Sequence, residues 1–327
     1  MTVHSKLNVL VTRDLPGDAI SRLRERLQVD LPSPDEEIGH GRLVEHIVDK
    51  QGLLCLLTDR VDAEVLANAP LLKVISVCAV GYNNVDAEEA TRRGILITNT
   101  PGVLRETTAD LAWALLLAAA RRIPDGDRMV RSGGFAGWSP SLLLGHEVHG
   151  KTLGIIGMGD IGTAVARRAA GFGMRILYHN RNPSSLAAEV GAEMVSLDHL
   201  LSNADFVSLH VPLIQSTHHL IGKRELDMMK PTAILINVSR GEVIDEVALV
   251  EALKMDRIAG AGLDVFENEP KLAPGLVGLK NVVLTPHIGS ASFETRERMA
   301  NMAVQNLLVG LECGRPQHLV NPEAFHG

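Results

Sequence analysis

Three glycines at fixed spacing, Gly157, Gly159 and Gly162, follow directly on the apolar run Leu153-Gly154-Ile155-Ile156, and this conjunction constrains the fold more than any other feature. In a strand that turns into a helix through Gly-x-Gly-x-x-Gly, the first glycine permits the tight turn. The second lets backbone approach a pyrophosphate, and the third allows close helix–strand packing. The helix N-terminus then faces the phosphates. With 30 glycines in the chain, chance is the competing explanation. A predicted strand before the glycines, a helix over Ile161–Phe172 and a second strand over Arg175–His179 argue for function. Gly157, Met158, Gly159, Asp160 and Ile161 are therefore expected to hold a dinucleotide.

The fingerprint starts near the middle of 327 residues, so another domain must precede it. Short β-branched runs alternate with amphipathic stretches from end to end, the pattern of parallel sheets covered by helices. The first half predicts strands at Leu7–Val11, Leu53–Leu57 and Lys73–Val77, with helices at Gly17–Leu27, Asp62–Asn68 and Asp86–Arg93. Asp62 and Asp86 read as N-caps and Gly94 as a helix stop. The second half predicts further strands at Phe206–His210, Ala233–Val238, Gly262–Val265 and Val282–Thr285. A long helix from about Leu104 to Arg122 and a Gly-rich loop, Ser132 to Gly145, separate the two series. The last helix, Ser292 to Leu311, is expected to pack back on the first domain. The fold class is α/β, with two Rossmann-like, doubly wound parallel-sheet domains.

Composition narrows the function classes. A net charge of −7 without a basic stripe argues against nucleic acid. The most apolar stretch, Leu111 to Ala120, is far short of the roughly 20 residues that span a bilayer. The N-terminus lacks a signal-peptide layout. The scattered Cys55, Cys78 and Cys313 form neither a disulfide framework nor a metal-ligand spacing. A cytoplasmic protein, with no membrane, nucleic-acid or metal partner, is the expectation.

Two sites carry chemistry. After the second strand of the dinucleotide unit, an NAD enzyme usually places Asp or Glu on the ribose 2′-hydroxyl. Here the sequence is Tyr178-His179-Asn180-Arg181-Asn182, without a carboxylate. Arg181 can pair with a 2′-phosphate, which favours NADP(H). NAD(H) stays open, because Arg181 also reads as a solvated turn residue or an adenine-stacking one. The other site is a set of predicted strand-end loops carrying Arg240, Glu269 and His287. Reducing a 2-keto acid by hydride needs a fixed cation on the carboxylate and ketone, and a proton donor at the developing alkoxide. It also needs a group that orients the donor. Arginine, histidine and a carboxylate suit those roles. Individually each has an ordinary explanation, since the chain holds 13 histidines and Glu267 sits two residues from Glu269.

Together the runs resemble the D-2-hydroxyacid dehydrogenase family across essentially the whole chain. They are Val80-Gly81-Tyr82-Asn83-Asn84-Val85-Asp86, Thr107-Thr108-Ala109-Asp110, the glycine fingerprint, Asn237-Val238-Ser239-Arg240-Gly241, Gly262-Leu263-Asp264-Val265 and Pro286-His287-Ile288-Gly289-Ser290. The resemblance implies that Arg240 binds substrate, His287 is the acid/base and Glu269 pairs with it. It implies a discontinuous substrate-binding domain, 1–100 with 290–327, and an NAD(P)-binding Rossmann domain, 101–289, which includes a dimerisation helix and loop over 104–150. The active-site cleft would lie between them. Thr108, Pro212, Val238, Ser239, Asp264 and Gly289 would adjoin the cofactor, and Leu56, Val80, Gly81 and Ser290 the substrate. Each also has a plain structural reading, Gly81 as a turn and Asp264 as a cap.

Within the family the glyoxylate and hydroxypyruvate reductases are most similar. Gly52-Leu53-Leu54-Cys55-Leu56-Leu57 resembles their substrate loop, and Gly133-Gly134-Phe135-Ala136-Gly137-Trp138 their dimer loop. In that subgroup a tryptophan at the position of Trp138 enters the partner's active site, which implies a homodimer; an ordinary interface aromatic is the alternative. D-lactate and 3-phosphoglycerate dehydrogenases, and an NAD(H)-sensing co-repressor on the same fold, are the competing identities.

Overall fold

The computed structural model describes residues 6–33 and 38–325. The chain divides into two compact units, residues 1–104 with 291–327, and residues 105–290.

The first unit runs β1 (Asn8–Val11), α1 (Ala19–Arg26), β2 (Gln28–Asp30), α2 (His40–His46), β3 (Gly52–Cys55), α3 (Ala63–Ala67), β4 (Val74–Val77), α4 (Ala87–Arg92) and β5 (Leu96–Thr98). Its five strands are all parallel in the order β2-β1-β3-β4-β5. Because strand side chains alternate faces, Val9 and Val11 join one apolar layer and Leu10 the other. The second unit opens with α5 (Arg105–Ala120) and α6 (Ile123–Arg131). It continues β6 (Thr152–Ile156), α7 (Asp160–Ala169), β7 (Arg175–His179), β8 (Glu193–Met194), α8 (Leu197–Asn203), β9 (Phe206–Leu209), α9 (Lys223–Met228), β10 (Ile234–Asn237), α10 (Glu246–Lys254), β11 (Gly260–Leu263) and β12 (Val282–Leu284). These seven strands, also parallel, take the order β12-β11-β10-β9-β6-β7-β8. The chain then returns to the first unit as α11 (Phe293–Leu311).

Local signals explain where elements start. The Asp62 carboxylate accepts the Glu64 and Val65 N–H groups, and Asp86 accepts that of Glu89, so both predicted caps are made. Gly94 takes a positive φ of 69° just past α4. Ala300, Ala303, Val304, Leu307 and Leu311 recur at helical spacing on α11 and are buried in one core of the first unit. Ser76 Oγ donates to Ala303 O at 2.8 Å, fixing that helix on β4. In the second unit Trp113 stacks on Phe172 at 4.6 Å and donates from Nε1 to Val165 O at 3.0 Å, joining α5 to α7.

Some elements differ from expectation. Predicted helix Ile161–Phe172 ends at Ala169, and its last residues form a 3-10 turn closed by Gly173 at φ +58°. The strand expected at Gly262–Val265 is shifted to Gly260–Leu263, which leaves Asp264 beyond the strand end. Among the described residues no helix is long and apolar enough to cross a membrane.

Candidate active site

In an open parallel sheet, ligands bind beyond the carboxyl ends of strands where the strand order reverses. In the second unit that point lies between β6 and β9. Gly157 sits there at φ +100°, and a Cβ on it would meet His210 O at 2.6 Å. A Cβ on Gly162 would meet Gly157 O at 2.2 Å. Both glycines are thus demanded by the protein's own packing. A Cβ on Gly159 would meet nothing within 4 Å. Packing does not require that glycine, but it leaves bare backbone at the head of α7, as close approach of a pyrophosphate needs. These residues fit the dinucleotide fingerprint.

The surroundings tie this turn down. Met158 N–H donates to Asn180 Oδ1 at 2.7 Å, so the Asn180 amide links the glycine turn to the end of β7. Arg181 is exposed and has no ion-pair partner among the described residues. Burial pushes the His210 imidazole down to about 3, so it is neutral at ordinary pH, with Nε2 at 2.8 Å from Ser208 Oγ. Pro212 opens an exposed loop closed by the Thr217 hydroxyl, which donates to Pro212 O at 2.6 Å.

Two strands over, the expected acid–base pair is in contact. Glu269 and His287 are 18 positions apart, and His287 Nδ1 lies 2.8 Å from Glu269 Oε2. Burial raises the Glu269 carboxyl, but hydrogen bonds from His287 and the Phe266 N–H, with the charges of His287 and Arg240, outweigh it and hold it below its ordinary value. An ionised carboxylate only accepts, so Nδ1 carries the proton of this bond and Nε2 is left for chemistry. Both side chains keep a quarter to a third of their surface exposed, within reach of a small molecule.

His287 itself lies in the left-handed region at φ +53°. Such a conformation costs on the order of 1–3 kcal/mol and persists only where neighbours fix it. Asp264 does so. Its carbonyl accepts the His287 N–H at 2.8 Å. Its buried carboxylate accepts Thr285 Oγ1 at 2.7 Å and the Ile288 and Gly289 N–H groups at 2.8 Å each. Burial raises the Asp264 carboxyl, and those three bonds with His287 only partly offset it. Gly289 is buried beside Asp264 and Thr108, since a Cβ there would meet Asp264 Oδ2 at 3.2 Å and Thr108 Cγ2 at 3.5 Å.

Arg240 follows β10 on a turn organised by Asn237, a fully buried amide. Asn237 Nδ2 donates to Arg240 O at 2.9 Å, and its Oδ1 accepts the Ser239 N–H at 3.0 Å and hydroxyl at 2.8 Å. Arg240 Nη1 donates to Ser239 O at 2.8 Å. Burial lowers the Arg240 guanidinium, opposed by the charges of Glu242 and Glu269, and an arginine remains cationic in any case. Val238 is buried beneath this turn. A Cβ on Gly241 would sit 1.9 Å from the Phe266 carbonyl carbon. Only glycine lets the Arg240 turn press against the loop that carries Glu269. Asn237 and Gly241 both stand in the family-like run around Arg240, but the sequence alone assigns neither of them this supporting role.

The remaining expected residues lie on separate elements. Leu56 follows β3 and Val80 and Gly81 follow β4, all past the carboxyl ends of the first unit's strands. Ser290 is half-buried at the end of the second unit. Trp138 is 83% exposed, in a loop that also exposes Phe135 and Leu144.

The family model "D-isomer specific 2-hydroxyacid dehydrogenase, NAD binding domain" matches residues 113–289. A glyoxylate reductase of Korarchaeum cryptofilum is 52% identical over 322 residues, covering 97% of each chain. The crystal structure of a Thermus thermophilus protein superposes with a TM-score of 0.91 at 50% identity, covering 96% of this chain and 100% of that one. An NADPH-dependent glyoxylate/hydroxypyruvate reductase from Sinorhizobium meliloti, solved with NADP and malonate, gives 0.88 at 34% identity, covering 98% of each. The chain belongs to the D-isomer-specific 2-hydroxyacid dehydrogenases and is a nicotinamide-dependent oxidoreductase.

Proposed function

We propose that this enzyme reduces glyoxylate, and hydroxypyruvate with it, to glycolate and D-glycerate, using NADPH in preference to NADH. The observation that carries the reading is the Glu269–His287 contact at 2.8 Å, on a loop pressed against the Arg240 turn. The nicotinamide, when bound, would supply a hydride to the substrate's carbonyl carbon. Arg240 grips the substrate carboxylate with its planar fork and polarises the carbonyl oxygen. Protonated His287 gives its Nε2 proton to that oxygen, so C=O becomes CH–OH, and the neutral imidazole regains a proton from water. Glu269 keeps the ring oriented through its bond to Nδ1.

Further features support the finer parts of this reading. The end of β7 offers Asn180 and the exposed Arg181 with no carboxylate, a setting that tolerates a 2′-phosphate. Leu56, Val80, Gly81 and Ser290 are assigned to the substrate by the family likeness. The apolar side chains Ile123, Val130, Phe135, Trp138 and Leu144 are all exposed within one short stretch. So many exposed apolar side chains in one stretch favour a protein interface there, which fits a homodimer. The near relatives named glyoxylate reductase favour the substrate choice.

Steady-state oxidation of NADPH and NADH with glyoxylate, hydroxypyruvate and pyruvate tests the proposal. NADPH with either of the first two should give the highest kcat/KM. His287→Gln should lower it by at least the roughly hundredfold typical of a lost general acid. Near-normal turnover in that variant, or none with any pair in the wild type, would sink the reading.

A further inference from the structure

A second carboxylate–histidine pair stands on the same loop as the first. Glu267, two residues before Glu269, meets His219 Nε2 with its Oε1 at 2.8 Å. The His219 N–H in turn donates to Glu242 O at 2.8 Å, and its ring stacks on His218. This pair therefore joins the segment after Pro212 to the loop that carries Glu269.

Behind both lies Glu246, the first residue of α10, only 3% exposed. Its Oε1 accepts the Glu267 N–H at 2.8 Å and its Oε2 accepts the Ala273 N–H at 3.2 Å. One carboxylate thus holds both ends of the segment 267–273, the segment that contains Glu269. Its own N–H donates back to Glu267 Oε2 at 3.4 Å. No cation pairs with Glu246 among the described residues, and the groups whose charges reach it, Glu267 and Glu269, are both acidic. A carboxylate buried in such company is costly unless its oxygens are used. The head of α10 offsets part of that cost. A glutamine here would keep one acceptor and turn an NH2 toward a backbone N–H, leaving that donor unsatisfied.

We infer that Glu246, with the Glu267–His219 pair as its lateral strut, is a positioning device for the acid–base pair, setting the loop so that Glu269 meets His287 Nδ1. The inference rests on the proposed roles of Glu269 and His287.

The test compares kcat and KM for NADPH-dependent glyoxylate reduction in Glu246→Gln, Glu269→Gln, the double variant and His287→Gln, with NADPH affinity and Tm for each. Glu246→Gln should lose about tenfold in kcat while KM and NADPH affinity stay within about twofold, since an interaction made at the transition state is what is disturbed. The double variant should lose no more than Glu269→Gln alone, because the two residues act as one unit. If Glu246→Gln does not fold, Glu267→Gln takes its place, with a loss in kcat of the same kind expected. A folded variant with lowered Tm but unchanged kcat, or a double variant whose losses multiply, overturns the positioning role. Turnover retained by His287→Gln would instead overturn the parent reading, and the inference with it.

Discussion

The two sheets of this protein obey the same topological rule and treat its consequence in opposite ways. The five-stranded sheet reverses order between β1 and β3, the seven-stranded sheet between β6 and β9. At the first of these points side chains tie the strand-end loops together. The buried Asp59 accepts the Thr12 hydroxyl at 2.5 Å and the Leu56 N–H at 2.7 Å, and Asn84 Nδ2 donates to the Leu56 and Asp59 carbonyls at 3.0 and 2.8 Å. At the second the crevice is stripped to backbone, with Gly157, Gly159 and Gly162 in place of side chains. Topology supplies the crevice in both, but the residues at the strand ends decide whether it is braced by side chains or bared to backbone.

Gly157→Ala breaks the contrast most severely. The added methyl would lie 2.6 Å from His210 O on a backbone at φ +100°. Strain of that kind costs on the order of 1–3 kcal/mol, which is about 5- to 150-fold in Kd if it falls on the binding-competent turn. NADPH titration followed by fluorescence should show that loss. Wild-type affinity in this variant would mean that the turn is not where the dinucleotide sits.

Asp59→Ala probes the other crevice. It leaves the Thr12 hydroxyl and Leu56 N–H without their acceptor, a loss of about 1–3 kcal/mol. Thermal unfolding should register it as a fall in Tm of roughly 2–8 °C for each kcal/mol. NADPH affinity should stay at its wild-type value. An equal loss of affinity in the two variants would erase the distinction between the crevices.

The contrast also explains what sequence could reveal. The glycine crevice is written in adjacent residues, since turn, strand and helix are local, and β7 at Arg175–His179 lies where its apolar run predicts. The caps at Asp62 and Asp86 are equally local. Elements without a periodic signature escaped. Strand β2 has three residues with one apolar side chain, β8 has two, and α6 starts after Arg122 in a left-handed turn, marked only by Pro124. The candidate site divides along the same line. Arg240, Glu269 and His287 could be picked out as an arginine, a carboxylate and a histidine after predicted strands, and two of them are in contact. What holds them could not be, because the Gly241–Phe266 contact and the Glu246 bonds join residues 21 or more positions apart through backbone atoms that any residue possesses.

The smallest effect concerns the two carboxylates themselves. Asp59 is sealed, at 8% exposure, whereas the Glu269 side chain keeps 30% of its surface open. Burial works to raise the Glu269 carboxyl, yet the bonds from His287 and Phe266 carry it below its ordinary 4.5. A carboxyl with a depressed folded-state pKa binds its proton more readily in the unfolded chain. Its stabilising contribution is therefore complete above 4.5 and disappears as pH falls through the lowered folded value. With this much exposure, solvent screening holds the contribution to below about 1 kcal/mol. Denaturant unfolding of wild type and Glu269→Gln should differ by that amount near neutral pH, and the difference should close as the pH is taken below 4.5. A difference that widened toward acid would mean that the open carboxylate is protonated in the folded enzyme, and that the His287 Nδ1 proton has lost its acceptor.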